Sequence, residues 1–243
     1  QLAFMAHKKE LDVVLTEDSD LLAYGVDRVL FKWDRDTHEG EEINRRNLGA
    51  CDKLDLVGMC PDDFLNMCIL SGCDYLDSLP GMGIVTANKH VRKYRDMTRL
   101  FRGLKFEGKV NARAHGGWKV YEERFKLARM TFKHARVWST AEERVVHLNA
   151  LPATVDARKL DYLGPPMDPQ TARSIILGHI NPHTKEPFEI GGDGAGAAGA
   201  AGVRVSTGSS SGGGSSSSRR DASSSSEAAK PGWLGDGGHP RPR

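Results

Sequence analysis

Nowhere in the 243 residues does an apolar run approach the roughly 18 needed to cross a bilayer, and the start lacks the basic, apolar and small-residue pattern of a secretory leader. A soluble, intracellular chain is expected. Cysteine is scarce: Cys51, Cys60, Cys68 and Cys73 stand at spacings of nine, eight and five, with no CxxC pair and no matching histidine pair. Such spacing points to reduced structural thiols and away from a zinc site. Large apolar residues are almost missing from Gly191 onward, where the chain runs through GGDGAGAAGAAG and STGSSSGGGSSSS. Nothing there offsets the entropy of ordering the backbone, so Gly191 to Arg243 is expected to be a disordered spacer. An initiator methionine is also lacking. Leu2 to Lys9 already reads as helix, and the sequence is expected to begin inside a domain.

What is present is unevenly charged. The formal net charge of +2 hides an acidic block, Gln1 to Leu79, with 8 Lys and Arg against 17 Asp and Glu, a net of −9. It is followed by a basic block, Pro80 to Arg136, with 15 against 4, a net of +11. Carboxylates that hold cations beside a surface that holds a polyanion give this asymmetry, and so do ordinary solvated helix faces.

The pattern predicts an α/β start. Leu11 to Thr16 is short, β-branched and apolar, as in a buried strand of a parallel sheet. Arg28 to Trp33 is a second apolar run after the turn-like Tyr24-Gly25-Val26-Asp27. Helical spacing follows at Ile43, Leu48 and Leu54. Pro61 to Leu70 is a clearer helix, with Pro61 first, Asp62 and Asp63 in the first turn, and a stop near Ser71-Gly72. A two-glycine turn, Leu79-Pro80-Gly81-Met82-Gly83, runs into a helix reaching about Tyr94. Further helices are expected over Trp118 to Val137 and Asp168 to Leu177.

Two places carry chemistry. Thr16-Glu17-Asp18-Ser19-Asp20 lies at the carboxyl end of the first strand, where loops of open α/β sheets converge on ligands. Asp18 and Asp20, two residues apart in extended chain, share a direction, and Asp74 sits just past a helix end. Three carboxylates meeting there suit a hard cation; a helix N-cap role for Asp18 or Asp20 is the alternative. The second place is Gly81-x-Gly83 before a helix bearing Lys89, Arg92, Lys93 and Arg95. Bare backbone N–H groups at a positive helix start suit a DNA phosphate, and an ordinary tight turn is the alternative.

Taken together, TEDSDLLAYG (16–25), MCILSGCDYL (67–76) and LPGMGI (79–84) resemble the internal region and helix-two-turn-helix of the flap endonuclease (XPG/Rad2-like) superfamily, and within it the 5′-to-3′ exonuclease branch. The resemblance runs from Gln1 to about Glu189. It implies a partial PIN-like parallel sheet over 1–76, a helix-two-turn-helix region with following helices over 77–190, and the tail over 191–243. It also implies a 5′-to-3′ exonuclease on double-stranded DNA with 5′ flap endonuclease activity in nuclear DNA repair, contacting mismatch-repair proteins through the tail of the full-length protein. Two Mg2+ or Mn2+ ions would serve hydrolysis, with Asp18, Asp20 and Asp74 as catalytic metal ligands. Ser71, Ser78 and the Met82 carbonyl match the positions around a potassium ion, and Gly81, Gly83, Lys89, Arg92 and Lys93 would meet duplex DNA.

The resemblance has gaps as well. A Glu-Ala-Asp-Ala stretch and earlier acidic ligands of the superfamily have no counterpart in this sequence, nor does the helical arch. A truncated chain unable to cleave efficiently is therefore expected. Flap endonuclease proper, the excision-repair endonuclease and a non-catalytic duplex-binding fragment are the alternatives.

Overall fold

In the computed structural model the described residues are 1–153, 155 and 160–188. The expectation of disorder for Gly191 to Arg243 falls outside them. Contacts gather the described residues up to His179 into one compact unit, and Ile180 opens a second. The described part of the second is a short loop closed by an antiparallel bridge between Ile180 and Pro187.

The first unit opens with helix α1 (Leu2–His7) and strand β1 (Val14–Leu15), then a single helical turn, α2 (Asp20–Ala23). Strand β2 (Arg28–Phe31) pairs parallel to β1, Val14 opposite Val29. The run Leu11 to Thr16 is thus a two-residue edge strand and not a strand buried on both faces: Val14 is 4% exposed, Val13 39% and Leu15 55%. Only one face of β1 is covered, so alternate residues reach solvent whatever their hydropathy.

Helical spacing over Glu41 to Leu54 misleads. Those residues form β3 (Glu41–Asn44), antiparallel to β2, and a 3-10 helix over Arg45–Ala50. Cross-strand pairs decide it: Ile43 lies opposite Val29, Arg28 binds Glu42 through two hydrogen bonds, and Lys32 meets Glu41 at 2.9 Å. The sheet, in order β1-β2-β3, is mixed.

Helix α3 (Pro61–Ser71) is the centre of the unit. Pro61 opens it, Cys60 Sγ accepts the Asp63 N–H, and Phe64, Leu65, Asn66, Met67, Ile69 and Leu70 are buried. A helix apolar nearly all round must be enclosed. Helices α4 (Ile84–Tyr94) and α6 (Trp118–His134) pack on it and α5 (Met97–Glu107) packs on α4; their Val91, Leu104, Tyr121, Phe125 and Phe132 complete the main core. Truncating Leu70, fully buried, would cost about 2–5 kcal/mol. α6 ends at His134, three residues before its expected limit, because Arg136–Ser139 (β4) pairs with Arg144–His147 (β5) as a hairpin.

Two smaller clusters flank this core, one of Ala3, Val14, Leu21, Val26 and Val29, the other of Phe4, Val137 and Leu148. Gln1 ties α1 to the hairpin, its side-chain amide donating to the Trp138 carbonyl and accepting the Trp138 N–H. Helix α7 (Pro169–Ile176) starts where expected, Asp168 accepting the Thr171 N–H at 2.9 Å.

Candidate functional site

Past β1 the chain is held by its own side chains. The Asp18 N–H donates to Thr16 Oγ1 at 3.0 Å and the Asp20 N–H to Asp18 Oδ1 at 2.8 Å. Such short-range bonds compete with regular structure and fix a turn. The sequence alternative of a cap is half met: Asp18 accepts from the first residue of α2, while Ser19, the N-cap residue, makes no side-chain cap.

Asp74 arrives from the other direction. Gly72 ends α3 at φ +103, a conformation that disfavours any side chain, and Cys73 and Leu76 exchange backbone hydrogen bonds of 3.0 and 3.2 Å around a tight turn. Asp74 and Tyr75 form its tip. The Tyr75 hydroxyl lies 2.6 Å from that of Tyr24 at the end of α2, and both rings pack on Phe132 of α6.

These restraints bring Asp20, Asp18 and Asp74 into one electrostatic neighbourhood. Burial first, then the charges of Asp18 and Asp74, push the Asp20 carboxyl up to about 6. Burial, with Asp20 among the further causes, pushes the Cys68 thiol up to about 12 and the Cys73 thiol up to about 11, and raises the Tyr24 and Tyr75 hydroxyls. Among the described residues no lysine or arginine pairs with these three aspartates; nearby cations are bound elsewhere, such as Lys32 on Glu41 and Arg28 on Glu42. Yet no group of three or more His, Cys, Asp and Glu among the described residues is arranged as a ready cage for a metal ion. What the residues offer is an uncompensated negative field. That suits a hydrated hard cation, since magnesium keeps several waters and takes one or two carboxylates directly.

The same loop positions the second set. Ser78 packs so close to Gly72 that a Cβ there would stand 3.3 Å from the Ser78 nitrogen and 3.7 Å from its hydroxyl. Ser71, whose hydroxyl donates to the Cys68 carbonyl at 2.8 Å, is the neighbouring residue. Met82 is buried, its N–H closing the turn on Leu79 O at 2.9 Å. Gly81 has φ +79, and at both Gly81 and Gly83 a Cβ would meet nothing within 4 Å. Gly83 caps α4 without a side chain, leaving the backbone N–H groups of the first turn open.

The basic residues divide. Lys89 is exposed, with no ion pair among the described residues. Arg92 and Lys93 lie in the last turn of α4, about 12 Å along the axis from its start, and are engaged: Arg92 with Asp55 at 2.8 Å and with the Val57 carbonyl, Lys93 with Glu107 at 2.8 Å. The structure thus groups Gly81 and Gly83 and leaves Arg92 and Lys93 apart. The Tyr24–Tyr75 bond escaped sequence reasoning, although a tyrosine four residues after Asp20 and another directly after Asp74 were visible. Between the 3-10 helix and α3 a cavity of about 630 Å³, lined by Asp20, Leu48, Phe64, Met67 and Cys68, opens beside the carboxylates.

Residues 1–74 match the family model described as XPG I-region. Exonuclease 1 of Oryza sativa subsp. japonica is 39% identical over 189 residues, 78% of this chain and 22% of that protein. Exonuclease 1 of Xenopus laevis is 35% identical over 191 residues, 78% of this chain and 25% of that one. The solved flap endonuclease-1 from Methanococcus jannaschii superposes with a TM-score of 0.38 at 24% identity, covering 53% of this chain and 35% of that one. The chain therefore spans about a quarter of the length of the curated relatives it matches.

Proposed function

We propose that the chain, whose residues 1–74 match the XPG I-region model and whose relatives are named exonuclease 1, supplies part of the metal site and the duplex grip of a 5′-to-3′ exonuclease acting on double-stranded DNA. The carrying observation is the convergence of Asp18, Asp20 and Asp74, from two separate loops, into a field with no internal counter-charge. Asp18 and Asp74 are exposed and Asp20 half-buried, and like charges around a half-buried carboxyl make its ionisation costly unless a cation joins them.

Asp20, the most buried of the three, would hold a divalent ion together with Asp18 and Asp74. In the complete metal site, bound divalent ions would activate the attacking water and neutralise the leaving oxygen of a phosphodiester. Mg2+ or Mn2+ fits these all-oxygen ligands. The open N–H groups after Gly81 and Gly83 receive a backbone phosphate of the duplex, with Lys89 adding charge. Ser71, Ser78 and the Met82 carbonyl are the proposed potassium ligands, with Ser78 close to Gly72. The repair role, the 5′ flap activity, the nuclear setting and the contacts with mismatch-repair factors belong to the same proposal and rest on the motif resemblance alone.

Three carboxylates carry too little charge and too few ligands for two divalent ions. Binding without turnover is expected of this chain. Fluorescence anisotropy with a labelled 5′-recessed duplex tests it: affinity should fall steeply as salt is raised, by counterion release, and the duplex should come back intact after incubation with magnesium. Salt-independent binding, or no binding at all, would contradict the proposal.

A further inference from the structure

Helix α5 was not expected from the sequence, and its outer face carries an arrangement that the duplex grip does not use. Asp96 accepts the Arg99 N–H at 2.8 Å as N-cap, and Gly108 ends the helix at φ +64. The inner face is fixed: Leu100, Phe101 and Leu104 are buried. Gly103 lies so close to Tyr94 that a Cβ there would come within 2.3 Å of the Tyr94 hydroxyl, which itself donates to Glu107 at 2.9 Å. A helix seated this firmly does not owe an exposed side chain to looseness.

On the opposite face Arg99, Arg102 and Phe106 follow at intervals of three and four, which places them along one stripe, and Lys109 continues it past the helix end. Phe106 is 92% exposed, the most exposed large apolar residue of the described chain. Arg99, Arg102 and Lys109 are exposed and pair with no carboxylate among the described residues. The local anions are taken: Glu107 by Lys93, Glu122 by Lys105, and Asp96 by the helix cap, where it is the one exposed carboxylate at the start of the stripe.

We infer that the outer face of α5 binds single-stranded nucleic acid, with an unpaired base stacked on Phe106 and the flanking phosphates met by Arg99, Arg102 and Lys109. An exposed aromatic ring between unpaired cations matches a strand that offers π-faces and phosphates in alternation. Duplex DNA hides its base faces and leaves the ring without a partner. An acidic peptide would satisfy the cations alone. The inference rests on the proposal that this chain handles DNA, and gives it a place for a displaced or product strand.

The test uses the full 243-residue chain without divalent metal. Anisotropy is read with a thymidylate oligomer of about 12 nucleotides and separately with a blunt duplex. Phe106→Ala, at a site too exposed to disturb the fold, should weaken oligomer binding about fivefold or more and leave duplex binding unchanged. Phe106→Trp should restore it and show tryptophan quenching on addition of the oligomer. Arg102→Gln should weaken it and flatten its salt dependence. Equal oligomer affinity of wild type and Phe106→Ala, with duplex binding intact, would overturn this inference alone. Loss of both kinds of binding in the wild type would overturn the DNA reading with it. Preferential, Phe106-dependent binding of a polyglutamate peptide would assign the face to a protein partner and overturn the inference too.

Discussion

The hydroxyls of Tyr24 and Tyr75, 51 residues apart in sequence, lie 2.6 Å from each other against the ring of Phe132. This bond fastens the end of α2, which begins at Asp20, to the turn that carries Asp74. Removing one hydroxyl leaves the other half-buried and unpaired, a cost of about 1–3 kcal/mol. Tyr75→Phe should lower thermal stability by that order and weaken divalent-ion affinity several-fold, because the two carboxylate loops are no longer held in step. Calorimetry of the variant with and without manganese checks both. A stable variant with unchanged ion affinity would remove the tyrosine pair from the site.

The Asp20 carboxyl gives a pH signature of unusual sign. Its folded pKa, about 6, lies above the ordinary value of 3.8, so the folded chain binds the proton more tightly than the unfolded one. The associated stability is present at low pH and is lost as pH rises from about 4 to about 6. At pH 7 without metal, Asp20→Asn should therefore be more stable than wild type by about 1 kcal/mol after allowing for solvent screening, or roughly 2–4 °C in Tm. Saturating magnesium or manganese should reverse the order, raising the Tm of the wild type and not of the variant. Thermal melts at pH 5 and 7 decide it, and a variant less stable than wild type without metal would show that Asp20 is not held against its neighbours' charge.

Gly81 and Gly83 separate backbone strain from ligand approach. Gly81→Ala forces a side chain to φ +79 and should cost about 1–2 kcal/mol of stability. Gly83→Ala, at φ −75 and in open space, should cost about 1 kcal/mol or less, the usual penalty of Ala at a helix N-cap. Its Cβ nevertheless stands where a phosphate would approach the N–H groups of α4, so duplex affinity should fall several-fold. Duplex titrations of Gly83→Ala measure this directly, and wild-type affinity would exclude the turn as a phosphate grip.

Asp62 joins α3 to α6 by accepting from both Arg129 and Lys133, the latter at 2.6 Å. Hydrogen bonding to Lys133 first, and then the two positive charges, holds its carboxyl below the usual range. Stability from this group is present above pH 4 and lost as pH falls through the lowered pKa. Asp62→Ala should cost about 1 kcal/mol in dilute buffer, less in high salt. Urea melts at two ionic strengths check it; an identical loss in both would assign the effect to packing.

Legibility differed from element to element for physical reasons. α3, α4 and α7 announce themselves through Pro61, Gly83 and the Asp168-Pro169 pair, each a local start signal. β3 did not, because Ile43 and Leu48 satisfy a helical period while the deciding interactions, Arg28 with Glu42 and Val29 opposite Ile43, come from a strand elsewhere in the chain. α5 was legible in principle from Asp96 before Arg99 and from Gly108 after Glu107, but the central Gly103 and the charges around it mask the pattern. For the candidate site, the residues were readable and the geometry was not. Sequence pointed to Asp18, Asp20 and Asp74 as a set; only coordinates show that they share a field without forming a ready cage, and that Arg92 and Lys93 are committed to Asp55 and Glu107.

Manganese binding to the full chain, followed by the electron paramagnetic resonance signal of the free ion, addresses the metal proposal at its root. Wild type should bind one ion weakly, Asp20→Asn should lose nearly all binding, and Asp18→Asn and Asp74→Asn should each lose part of it. Identical titrations for the wild type and all three variants would mean that these carboxylates do not hold a divalent cation in this chain.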